Sequence, residues 1–160
     1  SISELKNTKI IFTKANSDTD GRVINSMIDE YVANRDNTVA FKSMGQLNYL
    51  SALQFMDAVV GNSSSGLIEA PSFKIGTIDI GDRQKGRMKA KSIITCLPNK
   101  VSIDSALSQL YSKEFKRIIN EVVNPYGTGG ASKKIIEIIK NINLDNIIKK
   151  SFYDFKGPFE

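Results

Sequence analysis

The segment Gly61-Asn62-Ser63-Ser64-Ser65-Gly66 lies between the apolar run Asp57–Gly61 and the short stretch Leu67-Ile68-Glu69-Ala70. It is the part of the chain best suited to hold a phosphate. Its glycines let the backbone turn tightly and approach a ligand, leaving three hydroxyls and free amides facing outward. The amino end of a following helix adds partial positive charge, which favours an anion. The lysine and spacing of a Walker loop are absent, as is the GxGxxG fingerprint. The same serines also suit plain helix capping.

Glu69 stands close behind these serines. A carboxylate beside a phosphate is repelled unless it faces neutral groups, and ribose hydroxyls are a common partner. The other reading is an acid near the positive end of a helix dipole. Arg83, in Gly81-Asp82-Arg83-Gln84-Lys85-Gly86-Arg87, is able to meet a diphosphate through a planar two-point contact, or to pair with Asp82. Asn16, in Asn16-Ser17-Asp18, suits a base edge or a sugar, and turn chemistry accounts for it equally well.

Composition narrows the chemistry further. The 160 residues include no histidine, which removes the commonest general base and the commonest zinc ligand. Acid–base work must then come from carboxylates, lysine or tyrosine, or from another domain. No metal site and no cofactor are expected. The one cysteine, Cys96, excludes an internal disulfide and, following a strand-like run, reads as a buried inert thiol.

The net charge of +5 is unevenly placed. Arg83, Lys85, Arg87, Lys89 and Lys91 alternate with no acid among them, and Lys133, Lys134, Lys140, Lys149 and Lys150 decorate the last helices. A basic loop suits phosphates, whether of a small nucleotide or of nucleic acid, and also serves as ordinary solvated surface. A nucleic-acid module would show interleaved aromatics or a recognisable motif, and neither is present, so no nucleic-acid partner is expected. Apolar runs such as Ile10–Phe12 are too short to cross a bilayer, and the start lacks the pattern of a signal segment. The expectation is a cytoplasmic protein with no membrane partner.

The elements that must position these residues alternate. Strand-like runs occur at Lys9–Lys14, Thr38–Phe41, Asp57–Gly61, Gly76–Gly81 and Ser92–Cys96. Between and after them, apolar residues recur at helical spacing: Val23, Met27, Ile28, Tyr31 and Val32; Leu47, Leu50 and Leu53; Ile103, Ala106, Leu107 and Leu110; Phe115, Ile118, Ile119 and Val122; and isoleucines within Ser132–Ile142. Strands separated by helices imply parallel pairing through crossover helices. The predicted fold is α/β, a Rossmann-like three-layer sandwich with a mostly parallel sheet. Ligands of such sheets sit beyond the carboxyl ends of the strands, where the turns after the first, third and fourth runs should converge. The aromatic tail Phe152–Phe159 is expected to pack on something.

Taken together, Gly61–Ala70 and Gly76–Arg87 resemble the C-terminal half of hydrolysing UDP-N-acetylglucosamine 2-epimerases. Asn16-Ser17-Asp18 and Pro125-Tyr126-Gly127-Thr128-Gly129-Gly130-Ala131 are similar to further segments of that half, although Ala15 stands where the family has proline. The resemblance implies one half of a GT-B architecture, with residues 1–160 as a single C-terminal UDP-binding domain and the N-terminal catalytic half absent. It implies that Ser63 and Ser64 bind the diphosphate, Glu69 the ribose, and Arg83 and Asn16 other parts of UDP. No catalytic residue is assigned to this chain. The implied reaction is anti elimination of UDP to a 2-acetamidoglucal, followed by hydration to N-acetylmannosamine for sialic-type acid synthesis. A related branch uses a UDP-linked diacetamido-trideoxy sugar. The implied partners are the UDP-sugar, the N-terminal half of the same chain, and further copies in a full-length homo-oligomer. The alternative is the corresponding half of a non-hydrolysing epimerase or another GT-B sugar-nucleotide enzyme.

Overall fold

Strand and helix alternate along the chain as the hydrophobic periodicity predicts. The computed structural model describes residues 1–16, 20–145, 147–149 and 151–152. Ser17, Asp18 and the tail 153–159 lie outside the described residues. The strands are β1 (Ile10–Thr13), β2 (Thr38–Phe41), β3 (Ala58–Gly61), β4 (Gly76–Ile80) and β5 (Ile93–Cys96). The helices are α1 (Gly21–Ala33), α2 (Gly45–Leu53), α3 (Ser65–Ile68), α4 (Lys100–Leu110), α5 (Lys113–Asn120) and α6 (Ala131–Asn141). Short 3-10 turns at Ile2–Glu4 and Ala70–Phe73 had no periodic signal in the sequence.

Every strand pairing is parallel. Among the described residues the strands form two ladders, β1-β2 and β3-β4-β5, with no pairing between β1 and β3. The main core lies on one face of the second ladder. Ile78 and Ile94 pack there against Ala106, Leu107 and Leu110 of α4 and Phe115 of α5. On the other face Leu53 of α2 packs with Ala70 and Ile75, joined by Val59 and Tyr49. Asn99 and Ser112 cap α4 and α5 by accepting from the amides of Ser102 and Phe115, which separates two helices whose apolar patterns run on in the sequence. The apolar stripe of α1 forms the predicted helix but stays largely in solvent, with Val23 63% and Met27 66% exposed.

The chain divides into two compact units, Ser1–Gly127 and Thr128–Glu160. The first holds both ladders. Within the second, α6 follows Gly130, whose φ of +82° is the left-handed region that favours glycine. The isoleucines of α6 remain half exposed or more.

Gly66 fixes how closely α3 rides on β4. A Cβ at this position would sit 2.5 Å from Thr77 Cγ2, and the Thr77 hydroxyl donates to the Gly66 carbonyl at 2.8 Å. Gly66→Ala is expected to cost about 1–3 kcal/mol through overpacking. Thr77→Ser removes the clashing methyl but keeps the hydroxyl, so the double variant should recover most of that loss in denaturant unfolding. A double variant as unstable as Gly66→Ala would show that this contact does not set the spacing.

Candidate functional site

A cleft of about 910 Å³ opens between β1 and β3 and runs to the carboxyl ends of the strands. Its walls include Asn16 after β1, Ser63 after β3, Glu69 behind α3, and Arg83 after β4. Four of the five residues singled out from the sequence therefore share one cavity. Ser64, the fifth, does not line it and is half buried at the start of α3. A smaller hollow of about 420 Å³ adjoins the cleft at Gly61, Asn62 and Arg83 and reaches Pro98.

The serine loop starts at Gly61, whose φ of +149° ends β3 in a conformation that side-chain-bearing residues avoid. Among the described residues no protein acceptor takes the amides of Ser63 and Ser64. The carbonyls of Ser63 and Ser64 accept from Gly66 and Leu67, so the backbone is held while these two amides stay available. The helix that follows is one turn long and gives way at Glu69 to the 3-10 turn containing Pro71. With so short a helix, the free amides outweigh any macrodipole in attracting an anion.

Glu69 is half buried, and its Oε2 is enclosed with no hydrogen-bond partner. Among the described residues no cation pairs with it. An enclosed carboxylate oxygen without a donor is costly, and hydroxyl groups entering the cleft would satisfy it.

The basic loop is tied down at both ends. Arg83 Nη1 donates to the Asn62 carbonyl at 3.1 Å, and Gln84 Nε2 donates to the same oxygen at 2.7 Å. Among the described residues Arg83 pairs with no acid, so the ion pair with Asp82 considered from the sequence does not form. Its remaining guanidinium donors are left for the cleft. At the far end Lys89 turns inward, donating to Asp79 Oδ2 at 2.7 Å and to Thr95 Oγ1 at 2.8 Å. Asp79 is 1% exposed. Cys96 is only partly buried, short of the full burial expected from the sequence, and that partial burial, with the negative charge of Asp79, pushes its thiol above the ordinary range.

Tyr49 of α2 also lines the cleft, and its hydroxyl is hydrogen-bonded to Ser65 Oγ. Burial raises its pKa above 10.0, the Ser65 hydrogen bond opposes that, and the charge of Glu69 adds to the rise. The phenol therefore stays protonated, a neutral donor and acceptor beside Glu69.

The family model for UDP-N-acetylglucosamine 2-epimerase matches residues 1–140. The chain belongs to that family. It is 43% identical over 155 residues to the GDP/UDP-N,N'-diacetylbacillosamine 2-epimerase (hydrolyzing) of Campylobacter jejuni, covering 96% of this chain and 40% of that protein. It is 33% identical over 142 residues to the UDP-N,N'-diacetylbacillosamine 2-epimerase (hydrolyzing) of Legionella pneumophila, covering 89% and 36%. The chain thus spans about 40% of the length of the curated relatives it matches. Among solved structures it superposes on Staphylococcus aureus MnaA in a co-structure with UDP, with a TM-score of 0.69, 19% identity, and coverage of 96% of this chain and 40% of that one. It also superposes on the Neisseria meningitidis UDP-GlcNAc 2-epimerase bound to UDP-GlcNAc, with a TM-score of 0.60, 19% identity, and coverage of 83% and 36%. At that identity these likenesses carry the fold, which is one half of the GT-B type. No helix among the described residues is long and apolar enough to cross a membrane.

Within this epimerase-family fold, the sequence reading passed over Tyr49, Gln84 and the Asp79–Lys89 pair. Tyr49 is hidden in a helical pattern, and Gln84 is a neutral residue among cations. Asp79 did carry a signal, because an acid in the middle of an otherwise apolar buried strand must find a partner.

Lys89→Met should destabilise the fold by about 3 kcal/mol, because it leaves the Asp79 charge buried and unpaired. Adding Asp79→Asn should return part of that loss, as read by thermal or denaturant unfolding. A single variant as stable as the parent would remove this pair from the account of the loop. A second expectation concerns pH. The unfolded Tyr49 phenol ionises near 10.0 and the folded one only higher. Its contribution is thus complete below that value, and stability falls as pH rises beyond it. In Tyr49→Phe this part of the alkaline decline should vanish from pH-dependent melting curves.

Proposed function

We propose that the chain is the UDP-binding half of a hydrolysing 2-epimerase acting on a UDP-linked 2-acetamido sugar. The observation that carries this reading is the unpartnered Glu69 carboxylate oxygen, set in the same cleft as Arg83 and the amide-rich serine loop. A nucleoside diphosphate matches that pattern. Its diphosphate takes the free amides of Ser63 and Ser64 and the guanidinium of Arg83. Its ribose hydroxyls donate to Glu69, and Asn16 meets the rest of the UDP moiety from the β1 side.

In the proposed reaction the C2 proton and the C1–O bond to UDP are lost from opposite faces, giving a 2-acetamidoglucal. Water then adds across the double bond, a proton entering C2 from the other face and hydroxide joining C1, so a free sugar inverted at C2 departs with UDP. The chain holds no histidine, and the acids of the reaction are assigned to the N-terminal half of the longer polypeptide. Residues 1–160 are the C-terminal domain of that enzyme, which we place in the cytoplasm as a homo-oligomer. N-acetylmannosamine is the product where the sugar is N-acetylglucosamine. The 43% identity to the Campylobacter jejuni protein favours a diacetamido-trideoxy sugar as the second reading, and product analysis of the full enzyme with both substrates separates them.

Calorimetry tests the binding site directly. Glu69→Gln should weaken UDP binding by about ten- to a hundredfold, the range for a hydrogen bond to a charged group. It should leave 2′-deoxy-UDP affected far less. Arg83→Ala should weaken UDP while sparing uridine. Equal losses for UDP and uridine in the Arg83 variant would sink the diphosphate assignment.

A further inference from the structure

The segment Asn124-Pro125-Tyr126-Gly127 follows α5 and closes a tight turn, in which the Gly127 amide donates to the Asn124 carbonyl at 3.1 Å. Asparagine first, proline second and glycine fourth are the residues such a turn prefers. From this turn Asn124 reaches the peptide on either side of Glu69. Its Nδ2 donates to the Ile68 carbonyl and to Ser72 Oγ, both at 2.7 Å, and its Oδ1 accepts the Tyr126 amide at 2.9 Å. Both donors and the acceptor oxygen are engaged, which fixes the orientation of the side-chain amide. The Ile68 carbonyl has no local donor. Pro71, three residues on, carries no N–H, and the Ser72 amide is taken by the Glu69 carbonyl at 2.9 Å. A helix end left in this way needs a partner from elsewhere, and Asn124 supplies it from 56 residues away. Tyr126 reaches the other loop. Its hydroxyl donates to the Met88 carbonyl at 3.1 Å, next to Lys89, whose ammonium is seated on Asp79.

We infer that Asn124 and Tyr126 are positioning residues of the nucleotide site, which set the separation between Glu69 and Arg83 to that of a ribose and its diphosphate. The inference rests on the nucleotide reading given above. One turn grips the backbone beside Glu69 with one side chain and the loop that carries Arg83 with the other. Neither side chain hydrogen-bonds to Glu69 or Arg83 themselves among the described residues, so both act through the peptide. Glu69 needs such support. The helix before it is one turn long, and Pro71 interrupts the hydrogen bonding after it. Its enclosed Oε2 has no protein partner to hold the carboxylate in place, so the backbone decides where that oxygen points. Arg83 is held to the Asn62 carbonyl through one nitrogen, and the path of the loop aims the rest of the guanidinium. Two groups that must meet one ligand at once lose binding steeply when either shifts by about 1 Å.

Calorimetry on the full-length enzyme tests this, with UDP, 2′-deoxy-UDP and uridine as ligands and melting curves run beside it. Asn124→Ala should weaken UDP about tenfold, the scale of one hydrogen bond. It should weaken 2′-deoxy-UDP far less, because the loss passes through Glu69. Combined with Glu69→Gln it should add almost nothing, since residues that act through one another are non-additive. Tyr126→Phe removes one hydroxyl from a side chain that is 40% exposed, too small a change to unfold the chain. It should weaken UDP about threefold and spare uridine, as is expected of Arg83→Ala. A lowered melting temperature with UDP affinity at the parent's level would make the turn purely structural and overturn the inference. Losses that simply add to those of Glu69→Gln would do the same. Glu69→Gln and Arg83→Ala by themselves separate the two levels of the argument. If they leave UDP binding unchanged, the nucleotide reading falls and this inference with it. If they weaken UDP while Asn124→Ala and Tyr126→Phe do not, only the positioning role is lost.

Discussion

The register Gly61↔Asp79 between β3 and β4 brings the carboxyl ends of two parallel strands level. From that alignment the serine loop and the basic loop leave the sheet side by side. The Asn62 carbonyl then becomes reachable from the next loop, and both Arg83 and Gln84 donate to it. In an antiparallel pair the same two loops would emerge from opposite ends of the ladder. The site is thus a consequence of strand direction before it is a consequence of any single side chain.

Electrostatics at this rim is arranged by position more than by net charge. The alternating cations from Arg83 to Lys91 look equivalent in the sequence, but they divide into different tasks. Arg83 faces the cleft, while Lys89 is drawn under the loop by a carboxylate that is almost wholly buried. That buried pair anchors one end of the loop and the Asn62 contacts anchor the other, so the guanidinium is presented from a braced segment. Glu69 lies in the same cavity, its Oε2 without a hydrogen-bond partner and, among the described residues, with no cation paired to it.

Part of the exposed apolar surface lies on the first ladder and the helix beside it. Ile11, Val39 and Phe41 on the first ladder and Val23, Ile24 and Met27 on α1 all remain accessible. By contrast, the second ladder, covered by helices on both faces, holds fully buried Ile78 and Thr77. Burial in a parallel sheet depends on neighbours at the edges as well as layers on the faces, and the two ladders differ in the former.

By itself the sequence determined which segments are strands and which are helices, because hydrophobic periods of about two and about 3.6 residues are local properties. It also determined the parallel α/β class, since alternating strands and helices leave little other choice, and it pointed to Asn16, Ser63, Glu69 and Arg83 through residue types that follow strand ends. The tertiary structure decided the rest. It turned Lys89 inward and left Arg83 without an acid. It placed Tyr49 against Ser65, set Ser64 back from the cleft and left the β1 and β3 edges unpaired. Each of these depends on which distant segments become neighbours, and neighbours are fixed by packing across the chain, whereas periodicity reports only on residues a few positions apart.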